Sequence, residues 1–225
     1  MAKLHGKDLI SIHDLTPADV EEILTLAADL KNKQKNGIKH EYLWAKSLAM
    51  IFEKQSTRTR VSFEIGMWQL GGLAINLDQE AIGLGVRESI GDVARTLSRF
   101  ADAILIRTFA HEKVIELAQF ASVPIINALS DLEHPCQALS DIFTIKEKKG
   151  LGKGLKMTYI GDGNNVCHSL MSAAAKVGIN LTVATPKGYE PKVKVDGVAV
   201  LNDPATAARG ADIIYTDVWA SMGQE

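Results

Sequence analysis

"IFEKQSTRTRVSFEIG", running from Ile51 to Gly66, joins two kinds of element. To its left, "SLAMIF" is an unbroken apolar run of strand length; to its right, an apolar pattern resumes and continues as a helix to the Gly71, Gly72 pair. A strand that is apolar on both sides needs cover on both faces, and a helix that follows it directly reads as the crossover of a parallel sheet. The residues at the joint, Ser56 to Arg60, are all hydroxylated or basic.

The same alternation extends in both directions. Upstream, "TPADVEEILTLAADL" has a capping threonine at 16, Pro17 at the first helical position, and Val20, Ile23, Leu24, Ala27 and Leu30 on one face, with a stop expected near Asn36 and Gly37. Downstream come "LAINL", a helix carrying Ile90, Val93, Ala94 and Leu97, then "DAILIR", a helix from His111, and "VPIIN". A helix from Pro135 turns Leu139, Ile142 and Phe143 inward and ends at "KEKKG", whose lysines and glycine suit a helix C-terminus. The rhythm then restarts with "LKMTYI", a helix from Asn164 or Asn165, "INLTVAT", "GVAVL", a short helix near Ala205, and "ADIIYT". The expected fold class is α/β: two open parallel-sheet, Rossmann-like domains, 1–148 and 149–225, joined by the long helix from Pro135, with the second domain incomplete as written.

Bulk properties narrow the function classes. The chain has 225 residues, 46% of them hydrophobic, and a formal charge of -2 with acids and bases interspersed, so it carries no basic field for nucleic acid. Its two cysteines, Cys136 and Cys167, form neither a disulfide framework nor a zinc pattern, and a reducing compartment is the simplest reading. The start "MAKLHGKDLI" lacks the apolar core of a signal peptide, and no apolar run approaches the ~20 residues that span a bilayer. A cytoplasmic protein with no membrane or nucleic-acid partner is expected, acting on small molecules with neither metal nor cofactor.

In open parallel sheets ligands bind beyond the carboxyl ends of the strands, and the unusual polar residues all map there. At the first joint, a helix N-terminus offers unpaired N–H groups and partial positive charge; Ser56, Thr57 and Thr59 add hydroxyls, and Arg58 adds a fork matched to phosphoryl oxygens. An arginine there opposes the helix dipole, which an anion would offset. The plainer alternative is a serine or threonine cap with its arginines in solvent. Arg107 closes "DAILIR", either as a ligand donor or with its head in water. His134 and Gln137 open the helix at Pro135, as catalyst and binder or as packing and surface residues. "GDGNN" is a weak dinucleotide pattern, with Val166 in place of a third glycine; Asn164 and Asn165 suit a polar zwitterion or a simple cap. "TDVWASMGQE" places Asp217 after an apolar strand, with Trp219 and Met222 too large and apolar for an idle loop.

Taken together, "FEKQSTRTRVSFE", "HPCQAL" and "DVWASMGQE" resemble the carbamoyltransferases, and the Ser-Met-Gly turn resembles their ornithine-specific branch, over about Leu9 to Glu225. The resemblance implies a homotrimer, or a multiple of trimers, that transfers the carbamoyl group of carbamoyl phosphate to the δ-amine of L-ornithine, giving citrulline and phosphate in arginine biosynthesis or catabolism. It implies that Ser56, Thr57, Arg58 and Thr59 bind the phosphate of carbamoyl phosphate. By the same resemblance Arg107, His134 and Thr59 polarise the carbonyl oxygen, Gln137 holds the carbamoyl amide, and Asn165, Asp217, Ser221 and Met222 hold ornithine.

The sequence also departs from that pattern. Relatives continue past the Ser-Met-Gly turn to a His-Cys-Leu-Pro segment, a later arginine, and a closing strand and helix, none of which is written here; the stretch from Tyr189 to Val200 passes straight into a strand where relatives carry a longer helix. Gly83 stands where relatives place a glutamine or histidine that reaches a neighbouring subunit. Two alternatives follow: a carbamoyltransferase for aspartate or another amine, and a non-catalytic carbamoyl phosphate-binding module.

Overall fold

A computed structural model describes residues 4–78, 82–152 and 154–217. The chain divides into two compact units, one made of Met1–Ile10 and Thr25–Asp131, the other of Ser11–Leu24 and Leu132–Glu225.

In the first unit, β1 (Ser47–Phe52), β2 (Leu73–Asp78), β3 (Ala103–Arg107) and β4 (Ile125–Leu129) form a parallel sheet in the order β2-β1-β3-β4. The joint that opened the sequence is the turn from β1 into helix α2 (Thr57–Gln69), after the long helix α1 (Pro17–Lys35). Alternation along the strands builds two cores. Ala49, Ile51, Ile104 and Ile106 pack with Ile90, Val93 and Ala94 of α3 (Ile90–Leu97) and with Val114 and Leu117 of α4 (His111–Phe120). On the other face Leu48, Met50, Phe52 and Leu105 pack with Met67 of α2. Cover on both faces is what the apolar strand β1 needs. Strand β2 departs from this expectation, because it lies at the sheet edge and leaves Leu73 and Ile75 exposed.

The boundary of β4 differs from the "VPIIN" reading. Pro124 has no N–H to enter a ladder, although its carbonyl accepts from Ile104 N at 2.9 Å; the strand starts at Ile125, two residues after Val123, and runs on to Leu129. The register between β3 and β4 shifts between Ile106 and Arg107: Ile106 pairs with Asn127 but Arg107 with Leu129. Such an irregularity re-aims the side chain at the strand end.

The second unit holds α5 (Pro135–Lys149) and a second parallel sheet of β5 (Lys156–Ile160), β6 (Asn180–Ala184), β7 (Ala199–Leu201) and β8 (Ile213–Thr216), ordered β7-β6-β5-β8. Helix α6 (Asn165–Val177) buries Cys167, Leu170, Met171 and Ala174, and the short α7 (Pro204–Ala208) receives the Thr158 hydroxyl on its Ala207 carbonyl at 2.7 Å. Tyr159 of β5, fully buried, stacks on Tyr215 of β8 with ring centroids 5.8 Å apart. Both sheets are all-parallel with their helices as crossovers, the α/β class that the first joint implied.

Candidate active site

The mouth of α2 is built from the joint itself. Ser56 is extended (φ -156°, ψ 109°) and caps the helix, its Oγ accepting from Thr59 N at 3.3 Å and donating to Thr59 Oγ1 at 3.0 Å. The capping reading is therefore correct for Ser56. It does not exhaust the joint: the N–H groups of Thr57 and Arg58, in the first turn, have no helical carbonyl behind them. Arg60 turns away and pairs with Glu64 at 2.9 Å.

Arg107, at the end of β3, donates from a terminal nitrogen to Thr59 Oγ1 at 3.3 Å, while its buried Nε has no hydrogen-bond partner among the described residues. Burial, and then the Arg58 charge beside it, lower the guanidinium pKa from its ordinary value. Two cations so placed, with no carboxylate partner for either among the described residues, are an incomplete electrostatic arrangement that a bound anion would complete.

Behind them stands Glu53, whose side chain is 2% exposed. Its carboxylate accepts from Lys113 Nζ at 2.6 Å and from the Thr108 hydroxyl, and its backbone N–H donates to the Arg107 carbonyl at 2.9 Å. The residue that leaves β1 is thus tied to the residues that leave β3.

The second unit assembles a separate group. His134 is the N-cap of α5 without a side-chain cap bond; its N–H donates to Ser169 Oγ at 2.8 Å, and the hydroxyls of Ser169 and Ser11 donate to the buried Glu133 carboxylate. One turn on, Gln137 Nε2 donates to Asp141 Oδ1 at 2.9 Å, and the Tyr215 hydroxyl donates to Asp141 Oδ2 at 3.0 Å. Asn164 caps α6, its Oδ1 accepting from Val166 N and Cys167 N, while its Nδ2 donates to Asp217 Oδ2 at 2.8 Å. Asn165 is buried, and its Oδ1 accepts from Val166 N at 2.9 Å.

The expected site residues therefore fall into two sets: Ser56, Thr57, Arg58, Thr59 and Arg107 in the first unit, and His134, Gln137, Asn165 and Asp217 in the second. Ser221 and Met222 lie outside the described residues. Sequence reading passed over Glu53 and Asp141 as holders of these groups, and it offered Asn164 as a cap, which it is, but not as the holder of Asp217. A signal existed for Asp141, four residues after Gln137 on one helix face. None existed for Glu53, whose partners are distant in sequence.

Two glycines serve the protein's own chain. A Cβ at Gly163 would come within 2.2 Å of Pro191 N, and Gly163 N donates to the Tyr189 carbonyl at 2.7 Å, so the second glycine of "GDGNN" admits a neighbouring loop in the place where a dinucleotide phosphate would approach. Gly83 turns at φ +60° with its carbonyl accepting from Arg87 N at 2.7 Å, and an added Cβ would meet Arg87 Cβ at 2.6 Å. Cys136 and Cys167 form no disulfide, and burial pushes their thiols up to about 12, far from nucleophilic thiolates. Among the described residues no cluster of three or more His, Cys, Asp or Glu could hold a metal, and no helix is long and apolar enough to cross a membrane.

Comparison with known proteins gives this arrangement a family. Residues 7–147 match the aspartate/ornithine carbamoyltransferase, carbamoyl-P binding domain, and residues 153–225 match the aspartate/ornithine carbamoyltransferase, Asp/Orn binding domain. Ornithine carbamoyltransferase of Anoxybacillus flavithermus is 54% identical over 235 residues, covering 99% of this chain and 75% of its own length. That of Carboxydothermus hydrogenoformans is 53% identical over 237 residues, covering 100% and 76%. Among solved structures, ornithine carbamoyltransferase from Pyrococcus furiosus superposes with a TM-score of 0.96 at 51% identity, covering 100% of this chain and 76% of that one. The Thermus thermophilus enzyme superposes with a TM-score of 0.85 at 44% identity, covering 94% and 74%.

Proposed function

The chain belongs to the aspartate/ornithine carbamoyltransferase family, and from that premise we propose that it transfers the carbamoyl group of carbamoyl phosphate to the δ-amine of L-ornithine, giving citrulline and phosphate. The observation that carries the phosphate half is the buried Nε of Arg107, which has no partner among the described residues, with the Arg58 charge acting on it from the mouth of α2. Ser56, Thr57, Arg58 and Thr59 receive the phosphoryl group, which suits a helix N-terminus with two guanidinium groups that have no carboxylate partner among the described residues.

Attack of the amine makes a tetrahedral carbon whose oxygen carries negative charge. Arg107, Thr59 and His134 are its donors in this reading, and loss of one such donor typically raises the barrier by about 3–4 kcal/mol. The Thr59 hydroxyl oxygen already accepts from Ser56 and Arg107, which leaves its proton for the substrate. Gln137 holds the carbamoyl amide, and Asn165, Asp217, Ser221 and Met222 hold ornithine. A lysine-like amine of pKa ~10.4 costs about 4–5 kcal/mol to present neutral at pH 7. Asp217 orients it; as a carboxylate it favours the charged amine and does not explain its deprotonation.

In this reading the protein works in the cytoplasm as a homotrimer or a multiple of trimers. A citrulline assay with carbamoyl phosphate and ornithine tests the reaction, and absence of product from the full-length protein would reject it. Carbamoylation of aspartate in place of ornithine would move the protein to the other branch and leave the phosphate half standing. Calorimetric binding of carbamoyl phosphate without turnover of any amine would leave a binding module.

A further inference from the structure

The Gln137 amide has two ends, and only one of them suits a carbamoyl group. The –NH2 of carbamoyl phosphate carries donor hydrogens, so it needs the Gln137 carbonyl oxygen and is repelled by the Gln137 –NH2. Nothing in a glutamine chooses between these ends; its surroundings do.

Here the choice is made one helical turn behind it. Gln137 and Asp141 are four residues apart on α5 and therefore share a face. Asp141 takes Gln137 Nε2 at 2.9 Å on one oxygen and the Tyr215 hydroxyl at 3.0 Å on the other. An ionised carboxylate only accepts, so it can hold the –NH2 end of Gln137 and not the oxygen. Burial, with a smaller push from the Asp217 charge, raises the Asp141 pKa above its ordinary value, against the two donated bonds, which hold the ionised form. Tyr215 is itself fixed by its stacking on Tyr159 and lies two residues before Asp217 on β8.

We propose that Asp141 is a positioning and specificity residue: anchored by Tyr215, its carboxylate locks the Gln137 amide with Nε2 inward and Oε1 presented, so that the site selects an acyl phosphate bearing –NH2 on its acyl carbon over one bearing a methyl group. The inference rests on the reading of Gln137 given above. It assigns the chemical basis of the selection to a residue that need not touch the substrate.

D141N is the decisive variant because it keeps the shape and reverses the polarity. Its Oδ1 still accepts from Tyr215, while its new –NH2 takes the oxygen of Gln137 and leaves the Gln137 –NH2 facing the ligand. The measurement is the ratio of calorimetric affinities for carbamoyl phosphate and for acetyl phosphate, which has a methyl in place of –NH2, in the full-length protein. In D141N the ratio falls about tenfold, with the loss confined to carbamoyl phosphate. Gln137→Ala lowers the ratio similarly, and the double variant adds little to either. Tyr215→Phe, which removes one anchor and keeps the ring, lowers it about threefold and serves if D141N folds poorly. An unchanged ratio in D141N, or an equal loss for both ligands, overturns the lock while leaving the proposed reaction intact. A wild-type protein that binds no carbamoyl phosphate overturns both.

Discussion

Glu53 and Lys113 form an ion pair of 2.6 Å in which the carboxylate is 2% exposed and the ammonium 30% exposed. The lysine can turn to water if its partner is lost; the Thr108 hydroxyl, at 0% exposure, cannot. Glu53→Ala is therefore expected to cost about 1–3 kcal/mol, chiefly for the stranded hydroxyl, as read from denaturant midpoints. Because the Glu53 side chain also holds Thr108, the residue that follows Arg107 at the end of β3, carbamoyl phosphate binding should weaken about tenfold through misplacement of Arg107. Glu53→Gln separates the effects, since it can still accept from Thr108. Unchanged ligand affinity in both variants would show that the ion pair serves stability alone.

Arg107 gives the opposite coupling of stability and function. Its guanidinium is half-buried, its Nε lacks a partner among the described residues, and the charge that acts on it is another cation, Arg58. Arg107→Ala should leave the ligand-free protein at least as stable as the wild type, while lowering kcat by about 100-fold to 1,000-fold, the usual weight of a donor to a developing oxyanion. Inorganic phosphate at 100 times its Kd should stabilise the wild type by about 2.7 kcal/mol and the variant far less at the same concentration. A large loss of unliganded stability in the variant would contradict this account.

Asn164 does two things with one side chain, and they can be separated. Its oxygen caps α6 and its nitrogen holds Asp217. Asn164→Ala should cost about 1 kcal/mol through the lost cap and also raise the ornithine KM. Asn164→Asp keeps an equally good capping oxygen but sets a carboxylate against Asp217, so most of the helix stability returns while the ornithine KM stays high. Carbamoyl phosphate affinity should change in neither. Recovery of the ornithine KM in Asn164→Asp would show that the bond to Asp217 is idle.

The strand-to-helix rhythm was legible because it needs only local information: "SLAMIF" is buried on both sides, Ser56 stands where a cap must stand, and Pro135 opens a helix where its missing N–H does no harm. So were the strand ends at which the candidate residues stand, since parallel sheets direct every such joint the same way. Their supports were not. Glu53 reads as a loop acid until Lys113 is brought to it, and Asp141 reads as a surface acid until Tyr215 arrives from β8. "GDGNN" misleads for the same reason, because its second glycine is explained by contact with Pro191. Burial of a polar group is a property of the partners that a fold assembles, and local pattern does not contain them.

His168 makes one part of the second unit sensitive to acid. It is 2% exposed, its Nε2 accepts from Lys192 N at 3.1 Å, and its Nδ1 must therefore be the nitrogen that donates to the Leu132 carbonyl at 2.8 Å. Burial lowers its pKa from 6.5, although the Leu132 bond and the nearby Glu133 charge oppose the shift. The unfolded chain then takes up a proton at a pH where the folded one does not. The contribution to stability is complete above pH 6.5, declines as pH falls below it, and levels off under the folded pKa. The slope from this one group cannot exceed about 1.4 kcal/mol per pH unit. His168→Asn keeps a donor toward Leu132 and removes the titration, so the difference between its denaturant midpoints and those of the wild type should stay nearly constant from pH 7.5 to about pH 6.5 and narrow from there to pH 5.5. Parallel curves over that range would mean that His168 is protonated as readily in the fold as in the open chain.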